Sequence, residues 1–310
     1  MSKGAGRPEG RAGQGPDAAS NDQVLQLDSF EVQVVPITQQ LRPFLHELTV
    51  SVRWPHRDSD LDFLIRQGEG YLALDEIGRP VGSAMHFPMG KDFALLGMMV
   101  TPPRLQARGG GRFLLRTIMR DCAGRDMRLN ATRSGYRLYR EEGFLDVGKV
   151  WQHQGLVGEV PVPDPLPGVE IRQITPQDRA AIEAMDAHAY GADRGPILAA
   201  LMQAGHGLIA LCAGQPCGFA LVRQFGKGQV IGPLVAEDER MAVAMTARLL
   251  DGARGSFMRM DTPFPGTGLR AFLTASGMTQ LDTVTEMRVG PQRRAETGLV
   301  TFALAAHSLG

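Results

Sequence analysis

Two stretches of this chain repeat each other at long range, and that limits the folds open to it. "GEGYLALDEIGRPVGSAMHF" begins at Gly68 and "GHGLIALCAGQPCGFALVRQ" at Gly205. Each runs Gly-x-Gly, an apolar strand, then Gly-x-Pro-x-Gly, at a spacing of about 137 residues with one residue deleted. "PIT" at Pro36 and "QIT" at Gln173 keep the offset, and "LGMMV" from Leu96 answers "IGPLV" from Ile231. So long a period means a duplicated domain rather than a solenoid, whose repeats run about 20–50 residues. Between the copies lies the proline-rich "VGEVPVPDPLPG", Val157 to Gly168, read as an extended linker.

The expected organisation is a disordered tail over residues 1–28, a first domain over 29–156, the linker over 157–168, a second domain over 169–290 and a docking segment over 291–310. The 310 residues suit two domains. The opening residues are rich in Gly, Ala, Pro and Arg and have no apolar core for a secretory signal, so a cytoplasmic chain is expected. The zero net charge argues against nucleic acid as a partner, and no apolar run is long enough to span a bilayer. Cys212 and Cys217 flank a turn and could face each other across a hairpin, but free, buried thiols are the expected state.

Within copy one, hydrophobic patterning predicts a strand over 30–36 and helices over 39–52 and 59–67. A hairpin of 71–75 with 81–87 follows, then a strand over 93–100 that is apolar on both faces. After it comes "LQARGGGRFLL", Leu105 to Leu115, entering an amphipathic helix with Arg112, Arg116 and Arg120 on its wet side. A strand over 127–131, a short helix over 134–142 and a last strand complete the copy. The fold class is α/β in the α+β sense, each copy a mixed, mostly antiparallel sheet flanked by helices.

The glycine run is no Walker loop, because Arg112 and Phe113 follow the last glycine. It is no dinucleotide fingerprint either, because Leu114 stands where a small residue is needed. Gln106, Ala107, Arg108, Gly109, Gly110 and Gly111 form instead a Gln-x-x-Gly-x-Gly run between a buried strand and a helix start. Glycines there let successive N–H groups converge, the helix N-terminus adds partial positive charge, and Arg108 and Arg112 add donors. Such a loop suits a diphosphate.

"MMVTPPRLQARGGGRFLL" resembles the acetyl-CoA loop of the GNAT superfamily of N-acetyltransferases, through Val100, Pro102, Gln106, Gly109 and Gly111. "LYREEGF", Leu138 to Phe144, resembles the family's Leu-Tyr-x-x-x-Gly-Phe segment. "RWPHR" at Arg53 and "LNAT" at Leu129 look like a bacterial subgroup that carries a second, weaker acetyltransferase-like domain. The resemblance implies two tandem GNAT-like domains and acetyl transfer from acetyl-CoA to an amine, with no metal. It also implies that backbone groups of Met98, Met99 and Val100 pair with pantetheine, and that Tyr139 is the acid for the departing thiolate. An asparagine that family members carry seven residues before the tyrosine is Thr132 here, with Asn130 two residues earlier as the nearest substitute.

A tyrosine near pKa 10 donating to a thiolate near 8.5 is uphill by about 2 kcal/mol, so the pocket must lower the Tyr139 pKa or the donation must be concerted. The acceptor amine must lose a proton, for which His56, Asp58 and His86 are candidates. Trp54 and His56 in "RWPHR" and Asp186 and Asp193 in "DAHAYGADR" are candidate acceptor-site residues, though packing or a solvated loop competes for each. Acceptors left open are a small amine, an amino acid, an antibiotic and a protein lysine. A longer acyl-CoA donor and a non-catalytic sensor of acyl-CoA or amine are the competing readings.

Copy two lacks both motifs. No glycine occurs from Pro233 to Asp251, Glu237, Asp238 and Glu239 stand where the phosphate would bind, and Leu273 replaces the tyrosine. One cofactor per chain is expected, with copy two serving the acceptor side or the scaffold. The apolar stretch from Gly298 is expected to dock as a strand or helix on one of the copies.

Overall fold

The structure is a computed structural model that describes residues 23–27, 30–106 and 109–310. Ala107 and Arg108 of the glycine loop, and residues 1–22 of the expected tail, lie outside the described residues.

Copy one runs β1 (Gln23–Leu27), β2 (Phe30–Pro36), α1 (Arg42–Ser51), α2 (Asp58–Gln67), β3 (Glu69–Asp75), β4 (Pro80–Met89) and β5 (Phe93–Val100). It continues with α3 (Gly110–Asp121), β6 (Asp126–Ala131), α4 (Tyr136–Glu141) and β7 (Leu145–Leu156). Within the stretch expected as a tail, β1 pairs antiparallel with β2 from Gln23↔Val34 to Leu27↔Phe30.

Copy two repeats the plan with β8 (Val169–Gln173), α5 (Arg179–Tyr190), α6 (Gly195–Ala204), β9 (Gly205–Cys212), β10 (Gln215–Phe225) and β11 (Gly228–Ala236). Then come α7 (Glu239–Asp251), β12 (Phe257–Thr262), α8 (Gly268–Ala275), β13 (Thr279–Val289) and β14 (Val300–Ala303). Cys212 and Cys217 close a disulfide across the β9–β10 turn, which corrects the expectation of two free thiols. Cys122 is a buried free thiol.

The two copies do not form separate sheets. One continuous sheet runs in the order β1-β2-β3-β4-β5-β6-β13-β7-β12-β11-β10-β9-β8. The last strand of each copy has changed sides: β13 lies between β6 and β7, and β7 lies between β13 and β12. The sequence boundary at 156 therefore cuts through a sheet. β7 and β13 share an antiparallel ladder from Thr279↔Gln154 to Arg288↔Leu145, and each satisfies an edge the other copy leaves open.

Parallel pairing between β5 and β6 covers Phe93↔Asp126 to Leu96↔Leu129 and then stops. At the same point β5 gains one residue against β4, since Met85 pairs with Gly97 but Ser83 with Val100. Met98 takes φ +49° in this bulge, and Ser83 Oγ donates to its carbonyl oxygen at 2.8 Å. Bulges re-aim a strand where a site needs it. Here one coincides with the gap between β5 and β6 at Met98, Met99 and Val100.

Copy two has the matching gap, but its own chain fills it. β11 pairs with β12 only over Gln229↔Met258 to Ile231↔Met260. Beyond that, β14 pairs with β11 through Leu234↔Ala303, Val235↔Thr301 and Ala236↔Val300. Phe302 and Ala303 are fully buried there among Met260, Leu234 and Leu269. The docking segment is thus a strand on copy two, and its continuation crosses to copy one.

Candidate functional site

A groove of about 610 Å³ opens at the gap in copy one, lined by Met99, Thr101, Gln106, Gly109, Gly111, Arg112, Ser134, Leu138 and Tyr139 among others. α3 builds its floor. Leu114, Leu115 and Ile118 are buried beneath it, which leaves the helix start facing the groove. Gly109 caps α3 in the left-handed region at φ +88°, a conformation that a side chain disfavours. Gln106 is exposed on the loop, its Nε2 donating to the Thr101 carbonyl oxygen at 3.1 Å. Arg112 is held by the α4 end, in contact with Glu141 and 3.2 Å from Glu142 Oε1. Its guanidinium is thus at the groove but already neutralised in part.

A second cavity, of about 330 Å³, adjoins the groove and shares Met99, Thr132 and Tyr139 with it. Copy one contributes Trp54, His56, Met98 and Asn130. Copy two contributes Phe225, Lys227, Arg259 and Asp282, and the segment after β14 contributes His307 and Ser308. Trp54 and His56 reach it because the chain after α1 is tied down. The Asp60 carboxylate accepts from the Arg57 backbone and from Gly226 N, each at 2.9 Å, which joins α2 to the β10–β11 turn. Burial alone would raise the Asp60 carboxyl, but these bonds and the Arg57 guanidinium hold it below its ordinary value. His56 then meets Phe225 edge-on at 5.4 Å and tilts against Trp54 at 5.9 Å. Desolvation pushes the His56 imidazole down to about 4, with Arg259 and Arg223 adding to the effect of burial and Asp60 opposing it.

Tyr139 lies where the two cavities meet. Its ring packs edge-on against Phe144 at 6.0 Å, and its residue is 7% exposed. Burial raises its phenol above the ordinary value. Of the two alternatives, a lowered Tyr139 pKa and a concerted donation, burial disfavours the first, and among the described residues no cation offsets it. Tyr136, on the same helix, points outward to the Asp146 carboxylate at 2.9 Å.

Other expected residues fall elsewhere. Asn130 lines the cavity, but its Nδ2 donates to the His307 carbonyl oxygen at 2.8 Å. Asp186 is fully buried in α5 and binds Arg194 through both oxygens, at 2.8 and 2.6 Å. Asp193 is exposed and accepts from Gly195 N at 3.0 Å, at the start of α6. Neither aspartate lines the cavity, so both assignments to the acceptor site are corrected. Asp186 serves a clamp: the Arg194 it orients donates to the carbonyl oxygens of Leu309 and Gly310 at 2.9 and 2.8 Å. Asp58 pairs with His46 and Arg42 on the surface, and His86 is buried 3.8 Å from Asp121; of the three proton-acceptor candidates, His56 alone lines the cavity. The sequence reading missed His307, Arg259 and Phe225, which only the exchanged strands and the returning C-terminal segment bring to copy one.

At the α7 start of copy two, Asp238 caps the helix by accepting from Met241 N at 2.8 Å. Glu239 Oε1 accepts from Leu269 N at the start of α8, also at 2.8 Å. Carboxylates thus occupy the donors a phosphate would need.

Comparison with known proteins agrees with this geometry. The acetyltransferase (GNAT) family model matches residues 38–144, and an acetyltransferase (GNAT) domain model matches 182–300. The uncharacterized N-acetyltransferase YitH of Bacillus subtilis is 27% identical over 233 residues, covering 74% of this chain and 81% of that protein. The fold is shared with an acetyltransferase-fold protein of Pyrococcus horikoshii, at TM-score 0.73 and 20% identity over 92% of this chain and 98% of that one. It is shared too with a tandem GNAT protein from the clavulanic acid biosynthesis pathway, at TM-score 0.58 and 14% identity, covering 84% and 99% of the two chains. Two matched domains in one chain, on a sheet whose first half keeps the open gap and the tyrosine, make this an acyltransferase: the chain belongs to the GNAT family of acetyltransferases, in its tandem form.

Proposed function

We propose that the chain is an N-acetyltransferase that moves an acetyl group from acetyl-CoA to an amine at a single site in copy one. The observation that carries this reading is the position of Tyr139, shared by the groove and the adjoining cavity. The groove suits a CoA diphosphate at the α3 start and pantetheine along Met98–Val100, where β5 has left β6. A backbone N–H on this stretch would polarise the thioester carbonyl. The amine enters from the cavity beside Trp54 and His56 and attacks the carbonyl carbon. The C–S bond breaks, and Tyr139 protonates the departing sulfur. Because its phenol is raised by burial, it holds its proton until negative charge develops on sulfur, which makes the donation concerted with C–S cleavage.

The acceptor cavity has aromatic walls and a volume of about 330 Å³, which suits a small amine better than a peptide. The test is an acceptor panel with acetyl-CoA, followed by thiol detection of released CoA. Amine-dependent release that vanishes in Tyr139→Phe supports the reading. Acetyl-CoA binding without release for any amine would favour the sensor.

A further inference from the structure

The chain after β14 is held inside the acceptor cavity by both copies. Leu304 N donates to the Asp261 carbonyl oxygen at 2.9 Å, and Arg223 Nη2 donates to the Ala305 carbonyl oxygen at 3.1 Å. Asn130 fixes His307, and Arg194 fixes Leu309 and Gly310. Ser308 lies against Gly97 so closely that a Cβ on Gly97 would come within 2.6 Å of it. Gly97 is the residue at which β5 parts from β6. These contacts tie a short, irregular stretch to both copies. They fix one side chain, His307, in the wall of the cavity that also holds Tyr139.

We propose that His307 is the proton acceptor for the incoming amine, with Asp261 of β12 as its positioning residue. His307 Nε2 is buried, has no hydrogen-bond partner among the described residues, and sits 3.5 Å from Asp261 Oδ2. Asp261 is itself fully buried and bound by Arg259 through its Nε and Nη2 at 3.0 and 2.7 Å. With Nε2–H turned to this carboxylate, the Nδ1 lone pair is left for the cavity. The charged groups around the ring are Asp261 and Arg259 on β12, Asp282 on β13 and His56 after α1. Burial lowers the His307 imidazole and Asp261 opposes it, so the ring is neutral and able to take a proton. His56 lines the same cavity, but no carboxylate forms an ion pair with its ring among the described residues.

The assignment rests on acetyl transfer occurring at this site. An alkylammonium gives one proton to His307 Nδ1 and becomes a neutral amine. Its nitrogen forms the bond to the acetyl carbon as the C–S bond breaks, and the Tyr139 proton passes to sulfur. The second proton lost by the nitrogen restores Tyr139, and His307 releases its proton to solvent. The products are the amide, CoA thiol and one proton.

A nucleophile that is already neutral at pH 7 does not need this base. The experiment compares wild type and His307→Gln in the full chain, using acetyl-CoA with phenethylamine and with hydroxylamine. The expected result is a loss of about 10²-fold or more in kcat with phenethylamine, and less than about 5-fold with hydroxylamine. Equal losses with both nucleophiles, or none, overturn the assignment alone. Wild type that binds acetyl-CoA but releases no thiol with either nucleophile overturns the acetyl-transfer reading and this assignment with it. Nitrogen NMR of the wild-type ring gives a second measurement that no folding defect can obscure. At pH 7 a neutral His307 protonated on Nε2 is expected, and a ring protonated on Nδ1 overturns the proposal.

Discussion

The side-chain nitrogen of Asn130 lies 2.8 Å from the backbone oxygen of His307, so a residue of copy one's β6 holds the segment that returns from copy two. Replacing it by Ala removes one half-buried hydrogen bond, a loss of about 1 kcal/mol in stability. The acceptor KM should rise several-fold while the acetyl-CoA Kd stays within about twofold. Weakened acetyl-CoA binding at constant acceptor KM would place Asn130 on the cofactor instead.

Gly109→Glu puts a carboxylate at the α3 start, where the diphosphate is expected. Acetyl-CoA binding measured by calorimetry should collapse. The φ of +88° adds a strain of about 1–3 kcal/mol for any side chain, so Gly109→Ala is the control that carries strain without charge. Equal affinity in the Ala and Glu variants would exclude the diphosphate from this loop.

Tyr139→Phe keeps the ring against Phe144 and removes the proton donor. A fall in kcat of about 10²–10⁴ is expected, with little change in acetyl-CoA affinity. Because burial raises the phenol above 10, wild-type activity should not decline through Tyr139 ionisation below that pH. A kcat within twofold of wild type would falsify the role.

His56 supplies a stability test with a defined sign. Its folded-state pKa of about 4 lies below the unfolded value, so the unfolded chain binds a proton that the folded chain refuses. Its contribution is present above pH 6.5 and is lost as pH falls towards 4. Allowing for solvent reaching a half-buried ring, the loss is about 2 kcal/mol. Denaturant unfolding at pH 7.5 and 4.5 should show a smaller difference for His56→Gln than for wild type. An identical difference would mean that the ring is not held neutral.

One acetyl-CoA should bind per chain, because β14 fills the copy-two gap and Glu239 occupies the donors at the start of α8. Calorimetric titration of the full chain should give a stoichiometry near one, and a value near two would require β14 to leave β11.

Much of copy one could be read from local signals. The apolar run at Phe93–Val100, the glycines before α3 and the repeat of Gly68 at Gly205 are all encoded within a few residues of where they act. The strand exchange left no such trace, since β7 and β13 both begin exposed and become buried further along, and neither sequence names its neighbour. Asp186 misled for a related reason. A polar run usually marks a wet loop, but here its carboxylate turns inward to Arg194, whose own purpose appears only when Leu309 and Gly310 arrive beside it. His307 was invisible as a site residue because its partners, Asn130 and Asp261, lie in different copies and far away in sequence.

The exchanged strands also govern how the chain is made. While it is being synthesised, β6 keeps an unpaired edge until Thr279–Val289 emerges, long after Ala131. At about 5–20 residues per second that interval is roughly 7–30 s. Throughout it, an open strand edge and the half-covered core behind it are available to neighbouring nascent chains. The second copy therefore remains necessary for the first to close, and a stop codon after residue 156 should yield aggregate rather than a smaller enzyme.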